Sequence, residues 1–153
     1  MSALAVLAPL VVLLNGLAAG VMLGTQLGGF PYMASLPVDR YVYAHAFLGQ
    51  RYDPTMPLCL IGTVVLDAVL AVTAPDGTAR ALFALAALLT ATTPVIALTK
   101  NAPVNRWMRT LDPDDLPEDF RDPRPEWGAW NNRRSWITIA ALAVNCTALG
   151  FLL

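Results

Sequence analysis

The chain has 153 residues, 56% of them hydrophobic and only 14% charged, with a formal net charge of −1 and a mean hydropathy of +0.54. A soluble domain carries about 25% charged residues, and the few here fall mostly in two blocks, 39–53 and 100–134. That distribution excludes an ordinary water-soluble enzyme, and the lack of a basic patch free of acidic neighbours excludes a nucleic-acid binder.

Between the blocks lie apolar runs long enough to cross a hydrocarbon layer of about 30 Å, which takes about 20 helical residues. Lipid offers no hydrogen bonds to a bare backbone, so each run must be a helix. Spans are expected over residues 3–28, 54–72, 79–99 and 135–153, giving a single transmembrane domain over 1–153. The expected fold is all-α, a polytopic four-helix bundle. The first run has no basic leader and exceeds the apolar core of a signal peptide, so it is expected to be retained.

Span 1 contains GLAAGVMLGTQLG, with Gly16, Gly20, Gly24 and Gly28 at four-residue spacing. Such a shallow stripe lets another backbone approach closely. Packing within the bundle is the plain expectation, with a homo-oligomer seam or room for a flat ligand as alternatives. Asn15 is the deepest polar group of this span.

Loop 1, residues 30–53, contains VDRYVYAHAFLGQRYD, which places Tyr41, His45, Leu48 and Tyr52 on one helical stripe. A short amphipathic helix at the interface is expected, with its tyrosines at headgroup level. His45 is the sole histidine, so a two-histidine metal site is excluded. It suits an interfacial hydrogen-bonding role or proton transfer, its ordinary pKa being about 6.5; a single axial haem ligand is the remaining alternative.

Span 2 carries Asp67, the one charge at depth, at a level comparable to Asn145 of span 4. A carboxyl there costs at least about 2.5 kcal/mol, so it must face the bundle and find partners. A buried clamp of Asp67, Asn145 and Asn15 is expected, with a proton-coupled role as the alternative. Cys59 and Cys146 lie toward opposite faces, so they read as small apolar packers and not as a disulfide. Span 3 carries Thr90, Thr92, Thr93, Pro94 and Thr99. Pro94 is expected to kink the helix, and the threonines to satisfy local carbonyls.

Loop 3, residues 100–134, holds Lys100 and six arginines, loop 1 holds two arginines, and residues 73–78 hold no Lys or Arg. The bias puts loops 1 and 3 in the cytoplasm and both termini outside. Pro113, Pro117, Pro123 and Pro125 forbid a continuous helix in the middle of loop 3. Trp107, Trp127, Trp130 and Trp136 could form an interface belt. Spacing points further: Trp127, Asn131 and Arg134 fall at i, i+4 and i+7, while Asn101 and Asn105 fall at i and i+4. With His45 at the same depth, these groups suit a pocket for a flat aromatic molecule. Indoles stack, carboxamides orient, and a guanidinium stabilises an oxyanion.

The stretches N101-A-P103-V-N105 and W127-G-A-W-N131-N-R-R134, on a four-span chain with a glycine-bearing first helix, resemble the anthrone oxygenase-like family of small membrane proteins. The resemblance covers nearly the whole chain in layout and rests on about ten residues. It implies bacterial or fungal membrane proteins, here assigned to a bacterial plasma membrane. Named members oxidise polyketide anthrones to anthraquinones with molecular oxygen and no evident metal or flavin. The implied catalytic groups are His45 as base and Arg134 as oxyanion holder, with Asn101, Asn105, Asn131, Trp127, Trp130 and Tyr41 binding substrate; no cofactor or metal is expected. Two other classes remain: a non-enzymatic small-molecule-binding or accessory subunit, and a carrier working through Asp67.

Overall fold

In the computed structural model, which describes residues 3–152, each apolar run folds as a helix. The helices are α1 (Leu4–Gly24), α2 (Phe30–Ser35), α3 (Val38–Arg51), α4 (Thr55–Thr73), α5 (Gly77–Ile96), α6 (Ala102–Met108) and α7 (Arg124–Gly150). A π-helical turn, Thr25–Gly29, joins α1 to α2, and a second, Ala97–Asn101, joins α5 to α6. Each turn is succeeded by a proline in the first turn of the next helix, Pro31 and Pro103. There the missing N–H costs nothing, so both stretches stay helical through residues expected to be loop.

Three helical stretches are long and apolar enough to cross a membrane: Leu4–Ser35, Thr55–Thr73 and Gly77–Met108. The first and third, of 32 residues each, reach about 48 Å and overshoot a hydrocarbon layer of about 30 Å. The 19 residues of α4 span about 29 Å and nearly match that layer. The expected fourth span differs. α7 begins at Arg124, well before residue 135, and its first third is polar, while its buried face carries Asn131, Ser135, Thr138 and Asn145. The last residue expected in that span, Leu153, lies outside the described residues.

α1 packs on α4, α4 on α5, α5 on α7 and α7 back on α1. At one end of this ring Ala8, Val11, Leu70, Ala74, Ala79, Phe83 and Ala148 form a wholly apolar cluster. At the other end the long helices rise past the start of α4. The space above α4 is closed by α3, which contacts α2 and α6 and buries Tyr41 and Val42 with Met33 and Met108. α3 is therefore part of the folded interior and not a helix lying free on the interface. Of its tyrosines, Tyr41 is inaccessible while Tyr43 and Tyr52 are exposed.

The glycine stripe does not serve the bundle as expected. Only Gly16 has a neighbour within reach, Leu142, and Cβ atoms at Gly20, Gly24 and Gly28 would meet nothing within 4 Å. The ring is closed on the other face of α1, by Ala18, Ala19 and Met22. Cys59 is buried as expected, whereas Cys146 is exposed. Thr92 and Thr99 bond local carbonyls as expected, whereas Thr93 bonds Thr138 across to α7 at 3.0 Å.

Residues 109–123 form no long helix, as their prolines require. Phe120 in this segment stacks on Trp107 at 5.6 Å. Arg124 then ties the start of α7 to the end of α2: Nη1 donates to the carbonyls of Ala34 at 3.0 Å and Leu36 at 2.9 Å. Its other face meets the Asp122 carboxylate at 2.6 Å. Charged donors on carbonyls contribute about 1.5–3 kcal/mol, and exposed ion pairs about 0–1 kcal/mol. Arg124→Ala is therefore expected to cost about 2–3 kcal/mol and Asp122→Ala under about 1 kcal/mol. Unfolding of both variants in detergent checks this, and equal losses would refute the tie to α2.

Candidate functional site

Above α4 the overshooting helices enclose a cavity of about 540 Å³ with a mostly apolar lining. Both π-turns border it, through Thr25 and Gly29 on one side and Ala97, Leu98 and Asn101 on the other. A π-turn inserts one residue into the helical ladder and rotates the side chains beyond it about the helix axis. Asn101 closes the second such turn, and Asn105 lies one helical turn beyond, across Pro103. Both carboxamides border the cavity.

One oxygen organises the polar wall. Asn105 Oδ1 accepts from Trp127 Nε1 at 2.8 Å and from His45 Nε2 at 2.9 Å. A carboxamide oxygen only accepts, so His45 must carry its proton on Nε2. Its Nδ1 is then a lone pair, and the Tyr41 hydroxyl donates to it at 3.0 Å. Both ring nitrogens of His45 are engaged, which leaves neither free for a haem iron and does not fit axial ligation. The rings also pack: His45 stands edge-on to Trp127 at 5.0 Å, and Phe30 lies against Trp127 at 5.3 Å. Gly128 permits this, because a Cβ there would collide with the Phe30 ring.

Two further carboxamides have their orientation set by partners. Asn101 Nδ2 donates to the Trp127 carbonyl at 3.2 Å, and Arg134 Nε donates to Asn131 Oδ1 at 3.0 Å. Asn101 Oδ1 and Asn131 Nδ2 are left buried and without partners. Both residues border the cavity, as does Arg134. The wall thus offers one free acceptor and one free donor beside a guanidinium, where an unmet polar group costs about 1–3 kcal/mol.

The residues singled out by spacing separate into two sets. His45, Asn101, Asn105, Trp127, Asn131 and Arg134 come together around the cavity. Tyr41 stands behind His45, its ring under the Arg124 guanidinium at 5.1 Å. Trp130 is turned away, its ring flanked by Arg133 at 4.5 Å and Lys100 at 5.0 Å. Trp136 is exposed. The spacing reading missed Asp53, Arg106 and Arg109, which form the cavity's charged rim, while Tyr52, expected on the stripe of His45, borders the cavity beside them. Arg106 and Arg109 come after Asn105 on the same short helix and its cap. Once that stretch is read as helix and not as loop, their place beside Asn105 is expected.

Burial holds the His45 pKa below its ordinary 6.5; the hydrogen bond to Asn105 offsets part of this, and the Arg109 charge adds to the lowering. With the folded value depressed, the unfolded chain takes up the proton first as pH falls. Stability is therefore level above about pH 6.5 and declines below it, down to the folded pKa. Melting of wild type and His45→Gln from pH 8 to 5 measures this, the variant showing a flatter profile. Identical profiles would mean that His45 is not held neutral.

Comparison with curated proteins and with solved structures gives no match. The family model described as anthrone oxygenase matches residues 43–144, from α3 into the second half of α7, and so takes in His45, Asn101, Asn105, Trp127, Asn131 and Arg134. The chain belongs to the anthrone oxygenase family.

Proposed function

We propose that the protein is a four-span membrane oxygenase whose cavity holds a flat, apolar hydroxyaryl ketone of the anthrone type. In this reading loops 1 and 3 face the cytoplasm, as their basic residues favour, and α7 completes the crossing. The observation that carries the proposal is the pair of unmet groups, Asn131 Nδ2 and Asn101 Oδ1, beside Arg134. A ketone oxygen takes the donors, a phenolic hydroxyl takes the acceptor, and the apolar lining takes the rings. The cavity volume falls within the range of about 300–1,000 Å³ usual for small-molecule sites.

The chemistry asked of the site is small. Loss of a proton from the methylene opposite the ketone gives an anion whose charge lies largely on the ketone oxygen. Arg134 and Asn131 hold that oxygen, and fixed donors of this kind are worth about 10²–10³ in rate. Molecular oxygen adds at the methylene carbon, and protonation gives a hydroperoxide. Loss of the second C–H proton with O–O cleavage then leaves the quinone carbonyl and one water. Four electrons pass from carbon to dioxygen, so the stoichiometry calls for no further reductant.

The proton acceptor in this scheme is His45. It is neutral, as a base must be, but Tyr41 occupies its lone pair. The hydroxyl reaches Nδ1 from outside the cavity, so substrate binding must turn the His45 ring off Tyr41 to bring that lone pair to the methylene. His45→Gln keeps a donor for Asn105 while removing the base, which is worth about 10²–10⁴. Oxygen uptake with a hydroxyanthrone is expected to fall by about that factor in His45→Gln. Arg134→Gln is expected to lose about 10²–10³, whereas Tyr41→Phe keeps wild-type activity within a few-fold. A wild-type protein that binds hydroxyanthrones without consuming oxygen would replace this reading by a binding or accessory role.

A further inference from the structure

The buried polar atoms without partners fall into two groups. Those of Asn101 and Asn131 border the cavity. The rest belong to Asn15, Asp67, Thr90 and Asn145, none of which borders it, and each is inaccessible. These four come one from each helix of the ring: α1, α4, α5 and α7. The orphaned atoms are Asn15 Oδ1 and Nδ2, Asp67 Oδ1, Thr90 Oγ1 and Asn145 Oδ1. All but one are oxygens.

They lie in the stretch of the bundle between the apolar end and the cavity. On α1, Asn15 falls between Val11 of the apolar end cluster and Ala18 of the next cluster inward. On α4, Asp67 falls between Leu70 and Leu60 of the same two clusters. Asn145 is one turn inward of Ala148, and Thr90 two turns inward of Phe83. Side chains lean toward the N-terminus of their helix. α4 and α7 begin at the cavity end and α5 begins at the apolar end, so Asp67 and Asn145 lean inward and Thr90 leans back toward them. One contact is already made: Asn145 Nδ2 donates to Asp67 Oδ2 at 3.3 Å.

Among the described residues, no Lys or Arg is buried within the ring, and Asp67 is the only buried carboxylate there.

We propose that Asp67, Asn15, Asn145 and Thr90 form a site for a dehydrated monovalent hard cation of the sodium class, held between the four helices. Hard cations take oxygen ligands. One carboxylate with neutral carboxamide and hydroxyl oxygens balances one positive charge and leaves a divalent ion under-neutralised. The ion neutralises Asp67 and ties all four helices to one point. The site is independent of the cavity and of what the cavity holds.

The test is thermal unfolding of the full chain in detergent, titrated with sodium chloride against choline chloride at constant ionic strength. Sodium is expected to raise the melting temperature saturably and choline to leave it flat. Asp67→Asn abolishes the sodium response. Should that variant fail to fold, Asn15→Leu and Thr90→Val remain, each expected to weaken the apparent sodium affinity about tenfold or more. Radioactive sodium binding to wild type is expected to approach one ion per chain. Equal responses to sodium and choline, or no radioactive sodium retained, would overturn the proposal and leave the layer to water or a proton.

Discussion

The Asn105 carboxamide oxygen, accepting at once from His45 and Trp127, holds the polar end of the molecule together. Those three residues stand on α6, α3 and α7, elements brought together only by this end of the fold. Because the oxygen can only accept, the imidazole proton must sit on Nε2 and the indole must point at the same spot. The consequences run outward. Nδ1 is left to receive Tyr41, Tyr41 lies beneath Arg124, and Arg124 holds the end of α2. A single acceptor of fixed polarity therefore sets the tautomer of one ring, the orientation of another and the seat of the first turn of α7.

That oxygen reaches its place because helices of unequal length share one bundle. α4 matches a hydrocarbon layer, while the stretches Leu4–Ser35 and Gly77–Met108 exceed it. The excess extends past the hydrocarbon, where packing against α3 and α7 holds it. It continues as helix, with a π-turn where α1 and α5 pass the first residues of α4 and a proline restarting each ladder. The rotation introduced by Ala97–Asn101 leads at once into the two asparagines of the cavity wall. The length mismatch leaves the hollow, and the π-turns decide what faces it.

How far the sequence discloses this depends on whether a feature is local. The pattern from Trp127 through Asn131 to Arg134 is legible because one uninterrupted helix carries it, and Asn101 with Asn105 because both sit one turn apart on a continued helix. Tyr41 shares the helical stripe of His45, yet its hydroxyl is spent on that imidazole, a pairing within α3 that periodicity cannot distinguish from a shared ligand. Trp130 fails for another reason: Lys100 and Arg133 draw its ring outward, and Lys100 comes from the far side of loop 3. The glycine stripe misleads because spacing shows that a face is smooth but not which way it turns. Ala18 and Ala19 do the close packing instead. Of the rim residues, Asp53 is hidden for want of knowing that α3 folds back over α4, and Arg109 because its stretch reads as loop and not as helix.

Polarity along the bundle axis is graded, and the grading separates two kinds of chemistry. The buried core of the far end is wholly apolar, and Arg80 ties α5 to the end of α4 beside it by donating to the Ala74 carbonyl at 2.6 Å. Next comes the layer of Asp67, Asn145, Asn15 and Thr90, then hydroxyl pairs such as Thr93 with Thr138, then the carboxamide wall of the cavity. The one carboxylate at depth lies on the far side of those hydroxyls from the cavity. A carboxylate beside a developing phenolate would oppose it by like-charge repulsion, by several kcal/mol where water is excluded. The cavity wall instead presents neutral carboxamides and arginines, with Asp53 placed out at the rim. Among the described residues the one carboxyl buried within the ring lies apart from the end that, in the proposed reaction, takes the anion.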